Sequence, residues 1–164
     1  MSKKTYKKKQ ELTPAKILIL VALAALVVYF GSTFPKNITA YLPSDILSYS
    51  VKYITDIQTG EQGGYLTGSY EIDDQTALDL TSVLAGQMYR RQIFGTGHNT
   101  VDAEGMVEVT FAPSQGEWFS LRCYSDGTLL MSRDGGDYKP YRSGWGFGRN
   151  GQQLFRDLLM VFGD

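Results

Sequence analysis

The sequence predicts an α+β chain: one N-terminal transmembrane helix, then a two-layer domain with an antiparallel sheet and two packed helices. Three observations predict it. Ile17 to Phe30 are fourteen apolar residues without a break. From Leu47 onward, apolar and polar residues alternate with a period of two in short runs separated by turn signals. Two other runs, after Asp73 and after Asn150, carry apolar residues at helical spacing instead.

The apolar block continues through Gly31, Ser32 and Thr33 to Phe34 without a charge. A helix from Ile17 to Phe34 would be about 27 Å long, close to the ~30 Å hydrocarbon core of a bilayer. Thr13 can cap it, and Pro14 suits a first turn in which a missing N–H is harmless. Lys3, Lys4, Lys7, Lys8, Lys9 and Lys16 precede the block against one acid, Glu11, a formal +5. Lysines beside a membrane helix mark its cytoplasmic side. Residues 1–16 are therefore expected as a basic cytoplasmic tail, 17–34 as a single plasma-membrane span, and the remainder outside. Membrane lipid is the first expected partner, through residues 17–34 and through attraction of the lysine tail to anionic head groups. A cleaved signal peptide shares the charged start and apolar middle. Bulky Tyr29, Phe30 and Phe34, with no A-x-A pattern after the block, favour a retained anchor.

Beyond Phe34, ten basic residues face sixteen acidic ones, a formal −6. Such a domain is a poor partner for nucleic acid. Its length suits one core and not two. Cys123 is the only cysteine, so no internal disulfide forms and disulfide-rich scaffolds are excluded. The acids sit where caps and turns need them. No metal-ligand spacing is present, and no cofactor is expected.

Residues 35–45, broken by Pro35, Pro43 and Ser44, are expected to be a stalk, and 46–164 the extracytoplasmic α+β domain. Leu47, Tyr49, Val51 and Tyr53 share one side of a first strand. Thr59-Gly60 and Gly63-Gly64 turn the chain, and Tyr65 to Ile72 returns with Leu66, Tyr70 and Ile72 on one side. Asp73 and Asp74 open a helix with the stripe Ala77, Leu80, Val83, Leu84 and Met88. Arg90 and Arg91 suit its negative end, and Gly95 stops it. A polar loop from Gly95 to Gly105 holds the only histidine, His98. Met106–Ala112, Trp118–Tyr124 and Leu129–Arg133 alternate as strands, with Asp126-Gly127 as a hairpin turn. Tyr138–Arg142 is a last short strand, which Pro140 marks as an edge. Asn150 is placed to cap a closing helix, Gly151–Phe162, whose stripe is Leu154, Phe155, Leu158, Leu159 and Phe162.

Two places invite chemistry. In SGWGFGRNG, Ser143 to Gly151, glycines alternate with Trp145 and Phe147 ahead of a helix. A phosphate cradle would need a buried parallel strand before it, and none is predicted. Either the aromatics plug the sheet edge, or Trp145, Phe147 and Arg149 project as a binding patch, since aromatic and arginine side chains dominate hot spots. The second place is Cys123. The stretch FSLRCYSDG, Phe119 to Gly127, resembles the nucleophile strand of sortases, the membrane-anchored cysteine transpeptidases of Gram-positive surfaces. That resemblance implies Cys123 as thiol, His98 as its base and Arg133 as the group steadying an oxyanion. It departs at Arg122, where sortases usually show Thr, and in the short spacing from His98 to Cys123. The bland alternative is that Cys123 is a small buried hydrophobe in line with Phe119 and Leu121.

The order of elements also carries a resemblance. A tyrosine-rich strand, a Thr-Gly turn, a second strand, an acid-capped helix at Asp73, further strands and a closing helix are similar to small membrane-anchored or lipoprotein extracytoplasmic domains of unknown function from Firmicutes. That likeness implies a fold and a location, and no activity. The expectation is a single-pass membrane-anchored extracytoplasmic binding or interaction domain of a Gram-positive envelope, without a catalytic centre. Its partner would be another envelope protein, a peptide or a glycan. One alternative is a sortase-like transpeptidase using Cys123 and His98. The other is a structural subunit of a membrane protein complex.

Overall fold

The computed structural model describes residues 13–70, 74–93, 103–144 and 150–161. The chain divides into two units, Met1–Ser32 and Thr33–Asp164. Helix α1, Pro14–Thr33, occupies the first. Twenty residues make a rod of about 30 Å. Thr13 supplies the carbonyl that accepts from the Ile17 N–H at 3.1 Å. The helix is apolar on all sides, and its Pro14–Gly31 stretch is long and apolar enough to cross a membrane.

The second unit is built on one eight-stranded sheet. In chain order its strands are β1 (Lys36–Asn37), β2 (Ile46–Asp56), β3 (Glu61–Ser69), β4 (Met88–Arg91), β5 (Met106–Pro113), β6 (Phe119–Tyr124), β7 (Leu129–Arg133) and β8 (Lys139–Ser143). Across the sheet they run β1-β4-β8-β7-β6-β5-β2-β3. All pairings are antiparallel. Helix α2 (Gln75–Ala85) falls between β3 and β4, and α3 (Gly151–Met160) follows β8.

Register explains the core. Val51 lies opposite Val109, Val109 opposite Leu121, and Leu121 opposite Met131. Residues directly opposite share a face, so one apolar row crosses four strands. Leu80 and Leu84 of α2 and Leu154 and Leu158 of α3 belong to the same buried cluster. Each such side chain contributes roughly 1.5–3 kcal/mol by leaving water.

Several expectations need correction. Helix α2 ends at Ala85, not at Gly95, and Met88, Arg90 and Arg91 belong to strand β4. Burial of Tyr89 decides this: it is fully enclosed, and its hydroxyl donates to the Leu84 carbonyl at 3.0 Å. Gly86 caps α2, its N–H bonding the Ser82 carbonyl. The partner that β4 needs comes from residues 35–45, the expected stalk. Lys36 pairs with Tyr89, Ile38 is fully buried, and the Asn37 side chain donates to the Ala85 carbonyl at 2.9 Å.

Strand β8 is not an edge, because β4 and β7 flank it. Pro140 is tolerated at the end of the β4–β8 ladder. Its carbonyl accepts from the Gln92 N–H at 2.9 Å, and the N–H it lacks would only have answered Gln92, outside β4. Leu47 is 61% exposed, because a register irregularity between Ile46 and Ser48 turns Ile46 toward the core in its place. Asn150 stands at the start of α3, but its side chain makes no capping bond. Asp74 does cap α2, accepting from the Ala77 N–H at 2.9 Å, while Asp73 and Ile72 lie outside the described residues.

Candidate functional site

The face of the sheet opposite the Val51, Val109, Leu121 and Met131 row carries a different chemistry. Its rows follow from register. Thr67 lies opposite Ser50, Ser50 opposite Thr110, Thr110 opposite Ser120, and Ser120 opposite Ser132. A line of hydroxyls therefore crosses five adjacent strands at about 4.8 Å intervals. Thr110 and Ser120 hydrogen-bond at 3.0 Å, and Ser132 donates to the Gly136 carbonyl at 2.7 Å. Toward β5, β2 and β3 the line opens. There Ser48, Ser50, Tyr65, Thr67, Ser69 and Thr110 line an open groove of about 490 Å³. Tyr65 is 57% exposed and stands at its rim.

The next row carries charge. Tyr65 lies opposite Lys52, Lys52 opposite Glu108, and Glu108 opposite Arg122. Arg122 donates to Glu108 at 2.9 Å and lies 3.9 Å over the ring of Tyr138. The Tyr138 hydroxyl donates to the same Glu108 oxygen at 2.7 Å. Burial and then the Glu108 bond push the Tyr138 phenol up to about 12. For Arg122 burial works downward, but the bond to and charge of Glu108 outweigh it, so the guanidinium is held above its usual value. One row further on, Ile54, Met106 and Tyr124 meet Ala103 and Leu130 in a small second apolar cluster. No residue of α2 or α3 joins that cluster.

The groups implied by the sortase resemblance do not assemble among the described residues. Cys123 is fully buried on the core side of β6, and its thiol donates to the Gly151 carbonyl at 3.4 Å. Burial raises the thiol far above its ordinary value, so the nucleophilic thiolate is strongly disfavoured. Cys123 pairs with Leu129 and Arg133 with Phe119, at opposite ends of the β6–β7 ladder. Four residues of strand separate them, about 13 Å. The Arg133 guanidinium donates to the Tyr41 carbonyl at 3.1 Å. His98 lies outside the described residues, as do Trp145, Phe147 and Arg149. Among the described residues no three His, Cys, Asp or Glu side chains converge as a metal site.

The hydroxyl line is the feature that reading the chain strand by strand misses. Its members are visible as polar positions alternating with apolar ones. Only the pairing registers show that they form one row. Chemically the row offers short donors and acceptors flanked by an aromatic ring, with no nucleophile–base pair. No protein-family model, curated protein or solved structure matches the chain. The fold and the groove together define an α+β domain with one polar, hydroxyl-lined sheet face.

Proposed function

We propose that this is a single-pass membrane-anchored extracytoplasmic binding domain without a catalytic centre. In this reading residues 17–34 cross the membrane, the lysine tail is cytoplasmic, and helices and sheet form two layers. The polar face of the sheet binds a neutral, hydroxyl-rich envelope glycan. The observation that carries the reading is the open end of the row, Thr67, Ser50 and Thr110, in a groove beside exposed Tyr65. Closely spaced hydroxyls match the alternating donors and acceptors of sugar hydroxyls. A tyrosine ring offers an apolar plate with a polar rim. The neighbouring Lys52, Glu108 and Arg122 alternate in sign, so the face presents no single-signed field to a charged polymer. Trp145, Phe147 and Arg149 remain in the proposal as a second contact patch.

The test is titration of soluble bacterial wall glycan fragments into the full chain in detergent micelles. Saturable binding that Tyr65→Ala weakens about five- to tenfold supports the reading. Absence of binding by the unaltered chain overturns it. A structural-subunit reading draws support from a different feature, the outer side of β3.

A further inference from the structure

We propose that β3 pairs with β3 of a second copy of this chain, antiparallel across a two-fold axis at Thr67, joining the two sheets edge to edge. The inference is independent of what the groove binds.

Hydrogen-bond parity decides which way each β3 backbone group faces. The Tyr70 N–H donates to the Leu47 carbonyl at 2.8 Å. Bonding alternates along an antiparallel ladder, so Gly64, Leu66 and Gly68 turn their backbone groups toward β2. Tyr65, Thr67 and Ser69 therefore turn theirs away from the sheet. β3 is the last strand, and no described residue pairs with that outer side. Sheet edges are ordinarily guarded by short length, lysine or proline. β3 is nine residues long and has neither residue type, with one charge, Glu61, at its far end. The other edge strand, β1, has only two residues.

The occupant follows from self-complementarity. With Thr67 opposite Thr67 of the second copy, Tyr65 falls opposite Ser69, Leu66 opposite Gly68, and Gly64 opposite Tyr70. Across 64–70 every large side chain meets a small one, and no charged residue lies in that stretch. Three hydrogen-bonded pairs close: Thr67 with Thr67, and Tyr65 with Ser69 on either side. The glycine at 68 already has a cause inside one copy. A Cβ there would lie 2.5 Å from the Tyr49 hydroxyl. That same bareness leaves room for Leu66 of the second copy. Thr67 and Ser69 also line the hydroxyl groove, so pairing would make the two grooves neighbours on one extended face.

Charge exchange at the axis tests the inference on the full chain in micelles. Thr67 is exposed and its backbone bonds point outward, so Thr67→Lys and Thr67→Glu leave β2–β3 pairing intact. Each substitution places two like charges opposite one another in the pair. Self-association, read by sedimentation and by capture between differently tagged copies, is expected to fall about fivefold or more for each variant alone. Mixing the two variants is expected to restore it. Thr67→Pro deletes an outward donor in both copies and is expected to weaken pairing about thirtyfold. A monomeric unaltered chain overturns the proposal and leaves the edge to a foreign extended peptide. Association indifferent to charge at position 67, as pairing through α1 would be, overturns it too. So does failure of the mixed variants to associate.

Discussion

The two faces of the sheet share a backbone and differ in everything else. On one, Val51, Val109, Leu121 and Met131 form a buried row that shares a core cluster with leucines of α2 and α3. On the other, one residue along each strand, Ser50, Thr110, Ser120 and Ser132 form a row of hydroxyls. A side-chain period of two makes this possible, because each strand serves both surfaces independently. The apolar row holds the domain together. Ser120 and Ser132 are buried and bonded within the chain, whereas Ser50 and Thr110 open onto the groove, where water or a ligand can reach them.

The sharpest way to break this comparison is to cut into both rows. Leu121→Ala is expected to lower unfolding free energy by about 2–5 kcal/mol, since it opens a cavity where Leu121 is fully buried. Ser50→Ala, on the adjacent strand pair but the other face, is expected to change it by less than about 0.5 kcal/mol. Urea denaturation measures both. Equal losses would abolish the distinction between the faces.

Arg122→Ala comes next in size. It removes the Glu108 bond and the stacking over Tyr138. Both groups keep contact with solvent, so a loss of about 1 kcal/mol is expected, smaller at high salt. A salt-independent loss would mean that packing and not charge holds this row.

Much of the fold was legible in the sequence because alternation is local. Tyr49 and Val51, Val107 to Phe111, Phe119 to Cys123 and Leu129 to Met131 each declare an inner face without knowledge of a neighbour. What was not legible depended on distant partners. Met88 to Arg91 continue the helical spacing of α2, and only pairing with residues 36–37 and with β8 makes them a strand. Pro140 marked an edge because the sequence does not say that β4 arrives beside β8. The hydroxyl line failed to stand out for the same reason: rows are made by registers, and registers are set by partners. The candidate residues Trp145, Phe147, Arg149 and His98 lie outside the described residues.

A pH scan sharpens the account of the charged row. Tyr138 titrates at about 12 when folded, against an ordinary phenol near 10. A raised acid favours the neutral form, so its contribution is complete below pH 10 and is lost as pH rises toward 12. Tyr138→Phe is expected to flatten stability loss across that window. An unchanged alkaline limb would mean that burial and the Glu108 bond together do not hold the Tyr138 phenol up in solution.

The smallest expected effect is no effect. Cys123 in the folded protein should take up no maleimide over minutes, and should react fully in concentrated urea. Rapid labelling of the folded protein would return the thiol to consideration as a reactive group.

The most direct measurement is glycan binding beside thermal stability in a Ser50→Ala, Thr67→Val double variant. Removing two hydroxyls that line the groove, outside the Thr110–Ser120 bond, should leave the melting temperature nearly unchanged and weaken binding at least about tenfold. Unchanged binding, or a collapse of stability, would show that the hydroxyl row is not a recognition surface.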